Sequence, residues 1–143
     1  MIVYLDASAL IKRYVAETGS VEVGDLIGKA EAVGTALLSR AEVSAALAKA
    51  VRMKFVARDA AAAALKAFTA DWDHLIRLQL TEALAARAAS LAWEHGLRGY
   101  HAVHLASALL WHDTLGEQIV VATFDRQLWQ GSRDAGLAAW PGA

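Results

Sequence analysis

Three acidic residues stand just beyond apolar runs. Asp6 follows Ile2-Val3-Tyr4-Leu5, Glu42 lies shortly after Ala32 to Leu38, and Asp125 follows Gln118 to Thr123. Carboxylates brought close together repel one another and acquire raised pKa values unless a cation neutralises them. An all-oxygen set of this kind suits Mg²⁺ or Mn²⁺. One or two such ions can activate water, bind a phosphate and stabilise the departing oxygen in phosphodiester hydrolysis. That is the chemistry these acids could perform if the fold gathers them.

Whether it does depends on the elements that carry them. Ile2–Leu5 reads as a short buried strand, and helical spacing follows through Ala9, Leu10, Ile11, Tyr14 and Val15. A helix is predicted over 21–29, a second strand over 32–38, a helix from Ser39 to about Lys54, and an alanine-rich helix from about Ala57 to Trp72. His74–Leu78 reads as a third strand, followed by helices over about 81–94 and 100–112. The fourth strand is Gln118–Thr123, Asp125 starts a last helix towards Arg133, and Leu137–Trp140 could be a short edge strand. Strands alternating with helices imply an α/β fold, with a mainly parallel sheet of four or five strands covered by helices on both faces. In open sheets of this kind ligands bind beyond the carboxyl ends of the strands, where the three acids lie.

Each acid also has an ordinary structural reading. Asp6 or Ser8 could N-cap the first helix, and Asp125 could cap the last. Ser39-Arg40-Ala41-Glu42 has the spacing of a capping box, in which Glu42 would reach back to the backbone of Ser39. Spacing alone leaves both readings open.

The 143-residue chain suits one domain spanning 1–143 and can bury a proper core. It is 57% hydrophobic with mean hydropathy +0.32, so part of its surface is expected to be buried against a second subunit or a partner. No apolar run approaches the ~18 residues that would span a membrane. The N-terminus lacks the basic stretch of a signal peptide, so the cytoplasm is the expected location. With no cysteine, disulfides and thiolate zinc sites are excluded. A net charge of −1 means that any grip on nucleic acid must come from a local basic rim, a metal or both.

Four segments carry a resemblance: Tyr4-Leu5-Asp6-Ala7-Ser8-Ala9-Leu10-Ile11-Lys12-Arg13-Tyr14, Ser39-Arg40-Ala41-Glu42-Val43-Ser44-Ala45-Ala46-Leu47, Leu97 to Ala108, and Ala122-Thr123-Phe124-Asp125-Arg126-Gln127-Leu128. In this order and spacing they resemble the signatures of PIN-domain proteins, most of all the VapC-type toxins of toxin–antitoxin operons. The resemblance implies a three-layer α/β/α sandwich and an endoribonuclease using Mg²⁺ or Mn²⁺. It also implies an RNA substrate, inhibition by a cognate antitoxin, and homodimerisation. Carried over by position, Asp6, Glu42 and Asp125 would be metal ligands, with Ser8 and Thr123 as supporting polar groups.

The family pattern would place a fourth acid where this chain has His101. Asp113 lies twelve positions further on, ~18 Å away along a continuous helix, and does not replace it. His101 could bind a metal as neutral imidazole, shifting preference from Mg²⁺ towards Mn²⁺. It could instead act as an imidazolium in place of a second cation, or leave a protein that binds RNA or antitoxin without cutting. We place His101 with the three acids as a ligand and take one-metal or altered-metal activity as the leading expectation, with loss of activity second. His104, one turn on, could pair with it at a metal; we read it as an interior histidine with a hydrogen-bond partner.

Arg40 and Arg126 are the preferred phosphate-contacting residues, being next to the proposed ligands; Lys12, Arg13 and Arg98 are further rim candidates. Stacking on RNA bases is one use for Trp72, Trp93, Trp111, Trp129 and Trp140, and packing against core or partner is the use we favour. A receiver-like or nucleotide-binding domain is the remaining rival, but no glycine-rich phosphate loop follows a strand.

Overall fold

The computed structural model describes residues 1–142. Strands β1 (Ile2–Leu5), β2 (Ala32–Ala36), β3 (Ile76–Leu78), β4 (Ile119–Ala122) and β5 (Ala138–Trp140) form one sheet in the order β3-β2-β1-β4-β5. Every neighbouring pair is parallel. Seven helices accompany them among the described residues: α1 (Ala7–Leu10), α2 (Ser20–Lys29), α3 (Leu38–Arg52), α4 (Arg58–Asp71), α5 (Glu82–His95), α6 (Gly99–Leu115) and α7 (Arg126–Asp134).

All four residues of β1 are buried, which is what a central parallel strand covered on both faces requires. Alternation divides them between two cores. Ile2 and Tyr4 pack with Leu84 and Leu91 of α5, Leu105 and Trp111 of α6 and Leu128 of α7. Val3 and Leu5 pack on the other face with Leu26, Val43, Leu47 and Phe68 from α2, α3 and α4. The result is the expected three-layer sandwich, with the sheet wholly parallel. Helix α6 buries residues around nearly its whole circumference, because α5 and α7 cover what the sheet does not. Gly34 of β2 admits the Trp111 ring: a Cβ there would stand 2.7 Å from the indole.

The differences from the sequence-based expectations are local. The first helix is one α turn, followed by a 3₁₀ turn over Ile11–Arg13, and does not continue to Val15. Leu37 already has helical backbone angles, so β2 ends at Ala36 and α3 starts at Leu38. His74 closes a 3₁₀ turn, which shortens β3 to Ile76–Leu78. No helix of the described residues is long and apolar enough to cross a membrane.

Candidate functional site

The chain runs outward from β1 to β2 and β3, then returns to place β4 on the other side of β1. Such a reversal opens a crevice at the carboxyl ends of the two adjoining strands. Asp6 leaves β1 into this crevice, and Thr123-Phe124-Asp125 leave β4 beside it.

Asp6 is 3% exposed and held by three donors. Its Oδ1 accepts the Ala9 backbone N–H at 3.0 Å, which caps α1, and the Ser8 hydroxyl at 2.7 Å. Its Oδ2 accepts the Thr123 hydroxyl at 2.6 Å. Ser8 Oγ in turn accepts the Phe124 N–H, and Thr123 Oγ1 accepts the Asp125 N–H, each at 3.0 Å. The two hydroxyls thus tie the end of β1 to the end of β4 and fix Asp125 relative to Asp6. Asp125 caps α7 through Oδ1 and the Leu128 N–H.

Glu42 arrives from the opposite helical layer. The capping box is not formed: the first residues of α3 have no side-chain cap, and Glu42 Oε1 lies 2.6 Å from His104 Nε2. Ser39 is also engaged elsewhere, its hydroxyl 2.6 Å from that of Thr35, which donates to the Leu5 carbonyl at 2.6 Å. This buried link anchors the start of α3 to the end of β1. His104 is interior and doubly bonded, with Nδ1 2.6 Å from the Tyr4 hydroxyl.

His101 lies one turn earlier on α6. Its Nδ1 is buried without a hydrogen-bond partner and stands 3.5 Å from Asp125 Oδ1. Burial pushes its pKa below the usual histidine value, against the opposing pull of Asp125, Asp6 and Glu42. Burial thus acts against an imidazolium standing in for a second cation.

Asp6, Ser8, Glu42, His101 and Asp125 all border one cleft of about 490 Å³, as do Lys49 and the rings of Tyr100 and Phe124. Lys49 was not singled out by sequence; its signal was the i, i+7 spacing from Glu42 along α3, which puts both on one helix face. Thr123 is buried behind the cleft and reaches it through Asp6. Arg126 borders an adjoining recess shared with Phe124 and Asp125. Arg40 is not on the cleft wall: its guanidinium lies over the Trp72 ring, 5.8 Å from the centroid. Lys12 is engaged with Glu17 and the Phe124 ring, and Arg98 with the Tyr100 hydroxyl. Asp113 pairs with Arg87. Trp72 and Trp111 are core residues, whereas Trp93 is 92% exposed.

The donor chemistry suits a divalent cation. Three carboxylates border a common space with His101, whose buried Nδ1 has no hydrogen-bond partner, and Glu42 Oε2 and Asp125 Oδ2 have none among the described residues. The side chains are not yet gathered as a cage: no group of three His, Asp or Glu among the described residues is positioned to hold an ion. Glu42 keeps only Oε2 for the cleft, because its Oε1 is taken by His104.

Residues 3–130 match the family model of the PIN domain. The chain belongs to the PIN-domain family. Ribonuclease VapC45 of Mycobacterium tuberculosis (strain CDC 1551 / Oshkosh) is 38% identical over 140 residues, covering 98% of this chain and 95% of that protein. Among solved structures, PAE2754 from Pyrobaculum aerophilum has a TM-score of 0.67 at 24% identity, covering 97% of this PIN protein and 83% of its own chain. VapBC2 from Rickettsia felis, solved bound to a DNA fragment from the promoter, has a TM-score of 0.65 at 12% identity, with 97% of each chain covered. The last two likenesses bear on the PIN fold alone.

Proposed function

We propose that this PIN protein, one domain over its whole length, is a metal-dependent endoribonuclease and the toxin of a toxin–antitoxin pair. The observation that carries the reading is the convergence of Asp6, Glu42, His101 and Asp125 on one cleft at the β1–β4 crevice, in a chain 38% identical to a VapC ribonuclease. Asp6, Glu42, Asp125 and His101 would hold Mg²⁺ or Mn²⁺, and the neutral imidazole favours Mn²⁺. The bound ion would acidify a water and offset phosphate charge.

The protein's own groups do the rest. Ser8 and Thr123 hold the Asp6 carboxylate by its two oxygens, so its direction is set before substrate arrives. Lys49 on the cleft wall and Arg126 beside it offer cationic contacts to the phosphates flanking the scissile bond. Arg40 would have to leave Trp72 to join them. Exposed Phe55 and Trp93 are apolar surface suited to protein partners, for which an antitoxin and a second copy of the chain are our candidates. Such a toxin would act in the cytoplasm.

His101, standing where the family pattern has an acid, favours one second reading, a binding module that occupies RNA or antitoxin without cutting. Cleavage of total cellular RNA by the purified chain, with Mg²⁺, Mn²⁺ or EDTA, separates the two. Metal-dependent cutting that Asp6→Asn abolishes supports the nuclease. Cutting only after His101→Asp makes binding the native role.

A further inference from the structure

We propose that Tyr4 and His104 form a positioning relay that holds the Glu42 carboxylate and presents its second oxygen to the cleft. The relay deepens the nuclease reading, because it rests on Glu42 being a ligand there. Its three members come from β1, α6 and α3, and its two links are both 2.6 Å long.

The direction of each hydrogen follows from the chemistry of its ends. An ionised Glu42 can only accept, so His104 Nε2 carries the hydrogen. In the neutral ring Nδ1 is then an acceptor, and the Tyr4 hydroxyl must donate to it. Tyr4 is fully enclosed, so no water competes for its hydroxyl. Tyr4 thereby selects the His104 tautomer that can hold Glu42. The opposite tautomer would turn a lone pair on Nε2 towards the carboxylate.

The register of β1 gives the relay its purpose. Tyr4 and Asp6 are two residues apart and point to the same side of the strand. Glu42 comes from a helix of the other layer, and its side chain has three torsions to fix. The strut through His104 sets it against the same strand that delivers Asp6, so the two carboxylates are spaced by rigid groups. Tyr4 and His104 are 0% and 1% exposed, out of reach of substrate. They act through Glu42 and are positioning residues. Groups that orient a metal ligand in this way are typically worth about 10–100-fold in metal affinity.

The test is Mn²⁺ binding by the intact chain, followed by electron paramagnetic resonance of the free ion, for the parent, Tyr4→Phe, Glu42→Gln and the double variant. Asp6→Asn, which leaves the relay untouched, reports on the cleft separately. Tyr4→Phe is expected to weaken Mn²⁺ binding about tenfold in the parent and to have no further effect once Glu42 is glutamine. Parental affinity in Tyr4→Phe, or an equal loss in both backgrounds, overturns the relay while the Asp6→Asn loss keeps the metal site. Unchanged binding in both Glu42→Gln and Asp6→Asn overturns the metal site and the relay with it. The ¹⁵N shifts of the His104 ring in the parent decide the matter should Tyr4→Phe fail to fold: an Nε2–H tautomer supports the relay, and Nδ1–H overturns it.

Discussion

Asp6 serves two purposes that a pair of substitutions separates. Asp6→Ala removes the acceptor for the Ala9 N–H, the cap of α1, which costs about 1 kcal/mol. It also strands the Ser8 and Thr123 hydroxyls, now 2.7 and 2.6 Å from a charged acceptor. Hydrogen bonds to charged groups are worth about 1.5–3 kcal/mol each. Ser8 can turn to Thr123 Oγ1, 3.5 Å away, and removing a buried charge recovers solvation, so the larger part of that loss is regained. The net cost is about 2 kcal/mol. Asp6→Asn keeps Oδ1 for Ala9 and Ser8, and its amide can donate to Thr123 Oγ1, so its cost is within about 1 kcal/mol. With an m-value of about 2 kcal/mol/M, urea melts should place the Asp6→Ala midpoint about 0.5–1 M below that of Asp6→Asn. Cleavage of RNA should fall at least about a hundredfold in both, because both lose the anionic ligand. Equal midpoints would refute the account of the cap and its hydroxyls. An Asp6→Asn protein cutting within tenfold of the parent would refute Asp6 as a ligand.

Three further outcomes are expected. His101→Asp puts a second carboxylate beside Asp125, so the melting temperature should fall in EDTA and rise more steeply with Mg²⁺ than in the parent, and Mg²⁺-supported cleavage should gain on Mn²⁺-supported cleavage; a melting temperature indifferent to Mg²⁺ would count against this position as a ligand. Gly34→Ala drives a methyl into the Trp111 ring and should cost about 1–3 kcal/mol, less in a Trp111→Phe background, where the crowding atoms are gone; equal costs in the two backgrounds, measured by denaturation, would deny the close approach. Tyr14, bonded to Asp71 and partly buried, has its pKa raised by burial, then by the Asp71 hydrogen bond, so the folded chain keeps a proton that the unfolded chain releases near pH 10.0. Its contribution is complete below that pH and lost as pH rises above it, and Tyr14→Phe should flatten the alkaline fall of stability, leaving the share due to Tyr4.

The layered fold was legible because its signals are local and strong. Ile2–Leu5 and the run to Thr123 are β-rich and apolar throughout, which distinguishes buried parallel strands from half-exposed ones. Helix ends were less legible. Nothing in Leu37-Leu38-Ser39 says that the helix begins before the serine; there Thr35 holds both the Ser39 hydroxyl and the Leu5 carbonyl, and the second of these is a tertiary contact. The strand-end rule located Asp6, Glu42 and Asp125 at one edge, and His101 was noticed only against a family pattern. The direction of Glu42 was beyond the sequence, since a capping box and a bond to His104 both satisfy the carboxylate and only packing of α6 against β1 decides between them. Arg40 illustrates the same limit. Adjacency in sequence suggested the cleft, but two residues of helix turn a side chain about 200° from its neighbour, and this one meets Trp72.

Capping and metal binding are not competing accounts of Asp6 and Asp125. A carboxylate that caps a helix is held by a backbone N–H at a fixed place, and it remains an acceptor with unused lone pairs. Asp6 and Asp125 each commit one oxygen to a cap, at 3.0 Å from Ala9 N and Leu128 N. At Asp125 the cap is the one hydrogen bond that holds the carboxylate among the described residues, whereas at Asp6 it acts together with the Ser8 and Thr123 hydroxyls, and the lone pairs that remain are left to the cleft. Glu42 has no such backbone donor, because it lies a full turn into α3, and it takes His104 in its place. The three acids are thus aimed by three different donors, two from helix ends and one from a buried imidazole. His101 alone has no such partner, and its orphaned nitrogen faces Asp125 across 3.5 Å. A cation shared between these two groups would satisfy the nitrogen and the carboxylate together. The position that departs from the family pattern is therefore the one where the local hydrogen bonding is incomplete.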